Sequence, residues 1–155
     1  MAAAAIGCFF GVDETEICRA LSSYVPQNNR SQLEDTKDNH LIVDAYNANP
    51  TSMMAALENF RCIGADHKMA ILGDMKELGS SSREEHKKIV DYLETCGFEK
   101  VILVGPEFGA VATSYDKYPD VEALIGHLKV DHPVGFYILV KGSNSMKLSQ
   151  LPEYL

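Results

Sequence analysis

The sequence is most restrictive in what it lacks. Its four cysteines, Cys8, Cys18, Cys62 and Cys96, form no C-x-x-C pair, so neither a disulfide framework nor a zinc cluster is expected. Reduced thiols and a cytoplasmic setting fit that usage. The five histidines fall into no H-x-x-x-H or H-E-x-x-H spacing, which leaves no metal-ligand signature. Basic residues are outnumbered: 14 Lys and Arg against 22 Asp and Glu give a net charge of −8, which argues against a nucleic-acid surface. No apolar run approaches the roughly 18 residues needed to span a bilayer. The N-terminus has no cationic stretch ahead of its alanines, so it is not read as a signal peptide. The phosphate loop G-x-x-x-x-G-K-[ST], the dinucleotide fingerprint G-x-G-x-x-G and the G-x-S-x-G elbow are all missing, and with them the ordinary marks of an NTPase, a dehydrogenase and a hydrolase.

What is present is a regular alternation. Four short, uniformly apolar segments read as buried strands: 40–46, 68–74, 101–105 and 136–142. Between them lie stretches with apolar residues at helical spacing: Met53, Leu57 and Phe60; then His86, Ile89, Val90 and Leu93; then Val121, Leu124 and Leu128. Buried strands alternating with helices predict an α/β fold with a mostly parallel sheet and helices on both faces, Rossmann-like in outline. Asn49 followed by Pro50 predicts a helix start. Ser81 or Ser82 is expected to cap the helix over 82–93, and Gly97 to end it. A short helix is expected from Pro106, and Tyr115–Asp120 is expected to be the most mobile loop. Residues 30–34 suggest a further short strand.

Upstream, residues 2–10 read as an Ala-rich helix, and Asp13 with Glu16 as a capping box for a second helix that Pro26 ends. A boundary is placed at the polar stretch Gln27-Asn28-Asn29. Residues 1–26 are then a helical pair, expected to be the tail of a preceding domain, and 27–155 form the α/β domain. The abrupt start inside a helix suggests a piece of a longer protein.

Three strand ends carry polar groups: Asp44 with Asn47 and Asn49, Asp74 with Glu77, and Lys141 with Ser143 and Asn144. In a parallel sheet these ends share one edge, and that edge is where open α/β sheets bind ligands. Any one of them alone could be a turn residue; their convergence predicts a site. Gly79-Ser80-Ser81-Ser82 reads as a helix cap rather than an anion loop. A rival reading is a receiver-type signalling switch, also a parallel βα sheet with Asp and Lys at strand ends. It would need a phospho-accepting Asp after its third strand, where this sequence has Gly105, and an acidic pair after the first, where only Asp44 stands.

The strand-end motifs are similar to those of a known family. Asp44-Ala45-Tyr46-Asn47-Ala48-Asn49-Pro50-Thr51-Ser52-Met53 resembles the signature opening the C-terminal domain of the Mur ligases. Ala70-Ile71-Leu72-Gly73-Asp74-Met75-Lys76-Glu77-Leu78-Gly79 and Leu139-Val140-Lys141-Gly142-Ser143 are similar to the second and third motifs, in the same order. The resemblance covers residues 30–155, and residues 1–26 resemble the last helices of the family's central ATPase domain. It implies ATP-dependent ligation: ATP with Mg²⁺ phosphorylates the carboxylate of a nucleotide-linked peptide, and an amine attacks the acyl phosphate. The Tyr-Asn-Ala-Asn form implies UDP-N-acetylmuramoyl-tripeptide and D-alanyl-D-alanine as the two peptide substrates. By the same resemblance Arg30, Asp44, Asn47 and Asn49 would bind ATP, with Asp44 accepting from ribose hydroxyls. Asp74, Glu77, Lys141 and Ser143 would line the cleft near the dipeptide. The family often has Arg after Lys-Gly-Ser, where this sequence has Asn144, so no second cation is implied beside Lys141. Catalytic residues, the phosphate loop and the metal ligands would belong to the N-terminal and central domains, and this chain alone is expected to be inactive.

Overall fold

A computed structural model describes residues 2–24 and 32–155. The four apolar segments form the centre of a six-stranded sheet. Its strands are β1 (Gln32–Asp35), β2 (His40–Asp44), β3 (Lys68–Gly73), β4 (Lys100–Val104), β5 (Asp116–Tyr118) and β6 (Tyr137–Lys141). Their order across the sheet is β1-β2-β6-β3-β4-β5. β1 is antiparallel to β2, and every other pairing is parallel. The expected α/β architecture is therefore the observed one.

Side chains along a strand alternate between the faces, which divides the core in two. Met69, Ile71, Ile102, Val104, Ile138 and Val140 pack against α6 (Val121–Leu128) and the 3₁₀ segment Leu148–Tyr154. Ala70, Leu72, Leu103 and Leu139 pack on the opposite face, against α3 (Pro50–Arg61), α4 (Ser82–Leu93) and the short α5 (Pro106–Gly109). Met53, Leu57 and Phe60 of α3 are fully buried, each burial worth roughly 1.5–3 kcal/mol. The connections β2–α3–β3, β3–α4–β4 and β4–α5–β5 all advance across the sheet in one direction. The connection through α6 reverses it and inserts β6 between β2 and β3.

The helix starts follow the sequence closely at α3 and loosely at α4. Asn49 Oδ1 accepts from Ser52 N at 2.8 Å, and Ser52 Oγ accepts from Asn49 N at 3.1 Å, a full capping box ahead of Pro50. At α4 the expected Ser cap is absent: Ser81 Oγ instead donates to Leu78 O at 2.7 Å, and a 3₁₀ turn (Gly79–Ser81) leads into the helix. Gly97 has a positive φ of 68°, but the helix it is expected to end stops earlier, at Leu93 with Glu94 as its C-cap. The expected loop at Tyr115–Asp120 holds β5, which pairs with β4 from Ile102↔Asp116 to Val104↔Tyr118. Main-chain pairing there needs no apolar run.

Upstream, α1 (Ala2–Phe9) and α2 (Glu14–Ser23) pack on each other, with Ile17 against Gly7. Asp13 caps α2 by accepting from Thr15 N at 2.9 Å. Pro26, the boundary at Gln27-Asn28-Asn29 and Arg30 lie outside the described residues.

Candidate active-site cleft at the carboxyl edge of the sheet

β6 sits between β2 and β3 but sends its chain to the opposite face from theirs. Crevices therefore open at the carboxyl ends of β2, β6 and β3, the place where connections diverge and open α/β sheets bind ligands. The polar strand ends collect there in two groups.

The first group spans β2 and β6. Asp44 and Lys141 are register partners on adjacent parallel strands, and both project toward α3. The Lys141 ammonium is 1% exposed. It donates to Asp44 Oδ2 in a short ion pair and to Asn47 O at 3.2 Å. Asp44 keeps one-fifth of its side chain exposed. With Tyr46, Asn47, Asn49 and Ser52 the pair lines a cleft of about 280 Å³. Its walls offer one carboxylate, two amides and hydroxyls, a donor and acceptor set suited to a hydroxyl-rich ligand such as a ribose.

The second group spans β3, β4 and β6. Asp74 is fully buried. Its Oδ1 accepts from Phe108 N at 3.0 Å and its Oδ2 from Glu107 N at 3.1 Å, so the carboxylate caps the start of α5. The Lys76 ammonium lies 3.3 Å from Oδ2. Gly105, at φ 118°, leaves the space this carboxylate fills, since a Cβ there would overlap it. His86, also fully buried, accepts from Met75 N at 3.0 Å through Nε2 and lies 3.9 Å from Asp74 Oδ1. Ser143 Oγ accepts from Lys76 N at 3.1 Å, while Ser143 N donates to Asp74 O at 3.3 Å. These bonds stitch the loops after β3, β4 and β6 together. Glu77, exposed and at φ 64°, projects from the first of them.

The expected residues that the structure describes thus reach one edge, in the two groups above. Lys141 belongs with Asp44 and the asparagines, because β6 pairs directly with β2, and its ammonium is already engaged. Asp74 is fully buried, and each of its oxygens accepts from a backbone amide at the start of α5. Glu77 and Ser143 lie at the edge as expected, and Arg30 falls outside the described residues. Sequence reasoning placed His86 on the apolar stripe of α4 and did not see its bond to Met75. It also missed the role of Gly105. Among the described residues no group of three or more His, Cys, Asp or Glu side chains is placed to hold a metal ion. No helix among them is long and apolar enough to cross a membrane.

Fold and edge define a class first: a mostly parallel α/β domain with a polar cleft at its topological switch. The order of its parallel strands, counted along the chain as 1-5-2-3-4, differs from the 2-1-3-4-5 of receiver domains, and with Gly105 at the phospho-acceptor position the switch reading falls. The family described as Mur ligase, glutamate ligase domain, matches residues 29–144, and the chain belongs to the Mur ligase family. The UDP-N-acetylmuramoyl-tripeptide–D-alanyl-D-alanine ligase of Rickettsia prowazekii is 36% identical over 134 residues, covering 81% of this chain and 29% of that protein. Its counterpart in Bacillus subtilis is 32% identical over 166 residues, covering 100% of this chain and 36% of that protein. Among solved structures, MurF from Acinetobacter baumannii superposes with a TM-score of 0.72 at 29% identity, over 96% of this chain and 35% of that one. MurF ligase from Thermotoga maritima in complex with ADP shares the fold with a TM-score of 0.76 at 23% identity, over 97% of this chain and 35% of that one. The chain spans about a third of the length of the relatives it matches.

Proposed function

We propose that this chain is the C-terminal part of an ATP-dependent ligase that joins D-alanyl-D-alanine to UDP-N-acetylmuramoyl-tripeptide in peptidoglycan synthesis. The observation that carries the reading is the match, along 81–100% of the chain, to relatives bearing that activity in their names. Residues 27–155 act as the C-terminal domain, and residues 1–26 belong to the central domain that precedes it. The exposed Ile6, Phe9 and Phe10 of the helical pair support that assignment, since they are surface for a neighbouring domain to cover.

In this reading the tripeptide carboxylate takes the γ-phosphoryl group of ATP, ADP leaves, and the dipeptide amine displaces phosphate from the acyl phosphate to form the amide. Mg²⁺, held by residues upstream, would neutralise phosphate charge. The chain's own contribution is binding and enclosure. Asp44 accepts from the ribose hydroxyls, with Asn47 and Asn49 shaping the pocket and Arg30 reaching the nucleotide. Lys141 holds Asp44 in place through their ion pair. Glu77 and Ser143 face the dipeptide, while Asp74 braces the loop that carries Glu77. Closing this edge over the central domain would exclude water from an acyl phosphate that hydrolysis would otherwise destroy. The work is cytoplasmic, where the nucleotide-linked substrate and reduced thiols are found.

The test is a ligation assay with ATP, UDP-N-acetylmuramoyl-tripeptide and D-alanyl-D-alanine. This chain joined to its upstream sequence should release ADP and the pentapeptide product, and the 155-residue chain alone should not. A folded full-length enzyme without ligation overturns the proposal.

A further inference from the structure

Among the described residues His86 is the one fully buried histidine, and nothing in the chemistry above uses it. Its ring sits edge-on to Phe108, with centroids 4.6 Å apart at 83°. Nδ1 lies 2.7 Å from Ser82 O, one helical turn back, and Nε2 lies 3.0 Å from Met75 N. A carbonyl on one side and an N–H on the other are both satisfied by a neutral ring carrying its proton on Nδ1. An apolar residue here would fill the same space and leave the Met75 amide buried without a partner, at a cost of roughly 1–3 kcal/mol.

That amide begins the loop over 75–78. Two successive amides are pinned from different elements: Met75 by His86 of α4, and Lys76 by the Ser143 hydroxyl after β6. Glu77 comes next, in the left-handed region at φ 64°, with Gly79 at φ 54° close behind. A non-glycine residue there carries strain on the order of 1 kcal/mol, and such strain persists where the surroundings over-determine the backbone. Here the determinants are visible, and they deliver an exposed carboxylate to the sheet edge. Glu77 has no ion-pair partner among the described residues. The nearest cation in sequence, Lys76, is turned inward to Asp74.

We propose that His86 is a positioning residue: by holding the Met75 amide it fixes the loop in which Glu77 is presented to the ammonium group of the incoming dipeptide. This rests on the ligase reading, and it assigns a role to a residue that touches no substrate.

The experiment uses the full-length enzyme with Glu77→Gln, His86→Gln and the double variant, measuring kcat and the KM for each substrate. Glu77→Gln should raise the KM for D-alanyl-D-alanine by about tenfold, as expected for a lost charged contact. His86→Gln keeps an acceptor for Met75 N but loses the rigid ring anchored on Ser82 O, so the amide is held loosely: the same KM should rise by roughly fivefold, with the KM for ATP and the melting temperature changed little. If the histidine acts through Glu77, the double variant should be no worse than Glu77→Gln alone. Independent losses that multiply, or a His86→Gln loss spread equally over all three substrates, would overturn the proposal. So would an unchanged dipeptide KM in Glu77→Gln, which leaves the ligase reading standing because wild-type turnover tests that separately. Amide hydrogen exchange on the wild-type enzyme gives a readout that needs no variant: Met75 and Lys76 should be protected, and fast exchange at Met75 would equally overturn the proposal.

Discussion

Replacing Asp44 or Lys141 should expose an asymmetry in their ion pair. The Lys141 ammonium is almost completely buried, whereas Asp44 retains a fifth of its exposure. Breaking a buried pair by removing one partner costs about 3–5 kcal/mol, most of it the penalty for the charge left behind. Asp44→Ala leaves the ammonium beside β2 with only Asn47 O to satisfy it. After a discount for partial screening, a loss of about 3 kcal/mol is expected. Lys141→Met keeps the length of the stem and leaves a carboxylate that water can still reach, so about 1–2 kcal/mol is expected. For a domain of this size each kcal/mol shifts the melting temperature by roughly 2–4 °C. Melting curves of the 155-residue chain should therefore drop by about 6–12 °C for Asp44→Ala and about 2–8 °C for Lys141→Met. The combination Asp44→Asn with Lys141→Met leaves no orphaned charge and should melt above Asp44→Ala. Equal costs, or a larger cost for Lys141→Met, would refute the reasoning.

Gly105→Ala places a Cβ against the Asp74 carboxylate at a φ of 118°; a loss of more than about 3 kcal/mol in denaturant unfolding is expected, and a near-neutral variant would contradict the packing described. Asn49→Ala removes the capping box of α3 and should cost about 1–2 kcal/mol in the same assay. The His67 pKa is raised by its hydrogen bond to Glu99. A raised histidine pKa stabilises the fold fully below the unfolded value near 6.5, and that contribution is lost as pH rises through the folded value. NMR titration should place His67 above 6.5, and Glu99→Gln should return it toward 6.5; an unchanged titration in Glu99→Gln would remove Glu99 as the cause.

The central strands were legible because strands covered on both faces must be apolar throughout, as Ile71-Leu72 and Ile102-Leu103 are. β5 was not, because Asp116-Lys117-Tyr118 lies at the edge of the sheet, where main-chain pairing makes a strand without an apolar run. The cap at Asn49 could be read locally, since both of its bonds close within three residues. The strand order could not. Nothing in the sequence says that β6 inserts between β2 and β3, and that insertion pairs Lys141 with Asp44. The burial of Asp74 behind its strand-end position was not legible either, because the amides it accepts from, Glu107 and Phe108, lie more than thirty residues on. His86 sat on an apolar stripe with Ile89 and Leu93, where periodicity shows that a residue is buried but not what it bonds.

The central claim is that the β2–β6 edge holds the nucleotide while the loop after β3 serves the dipeptide. The most direct test is steady-state ligation by the full-length enzyme carrying Asp44→Asn together with Lys141→Met, a pair of changes chosen to leave no unpaired buried charge. Replacing the charged ribose acceptor by a neutral amide should raise the KM for ATP by about tenfold and leave the KM for D-alanyl-D-alanine within about twofold of wild type. An unchanged KM for ATP, or a rise confined to the dipeptide, would contradict the account.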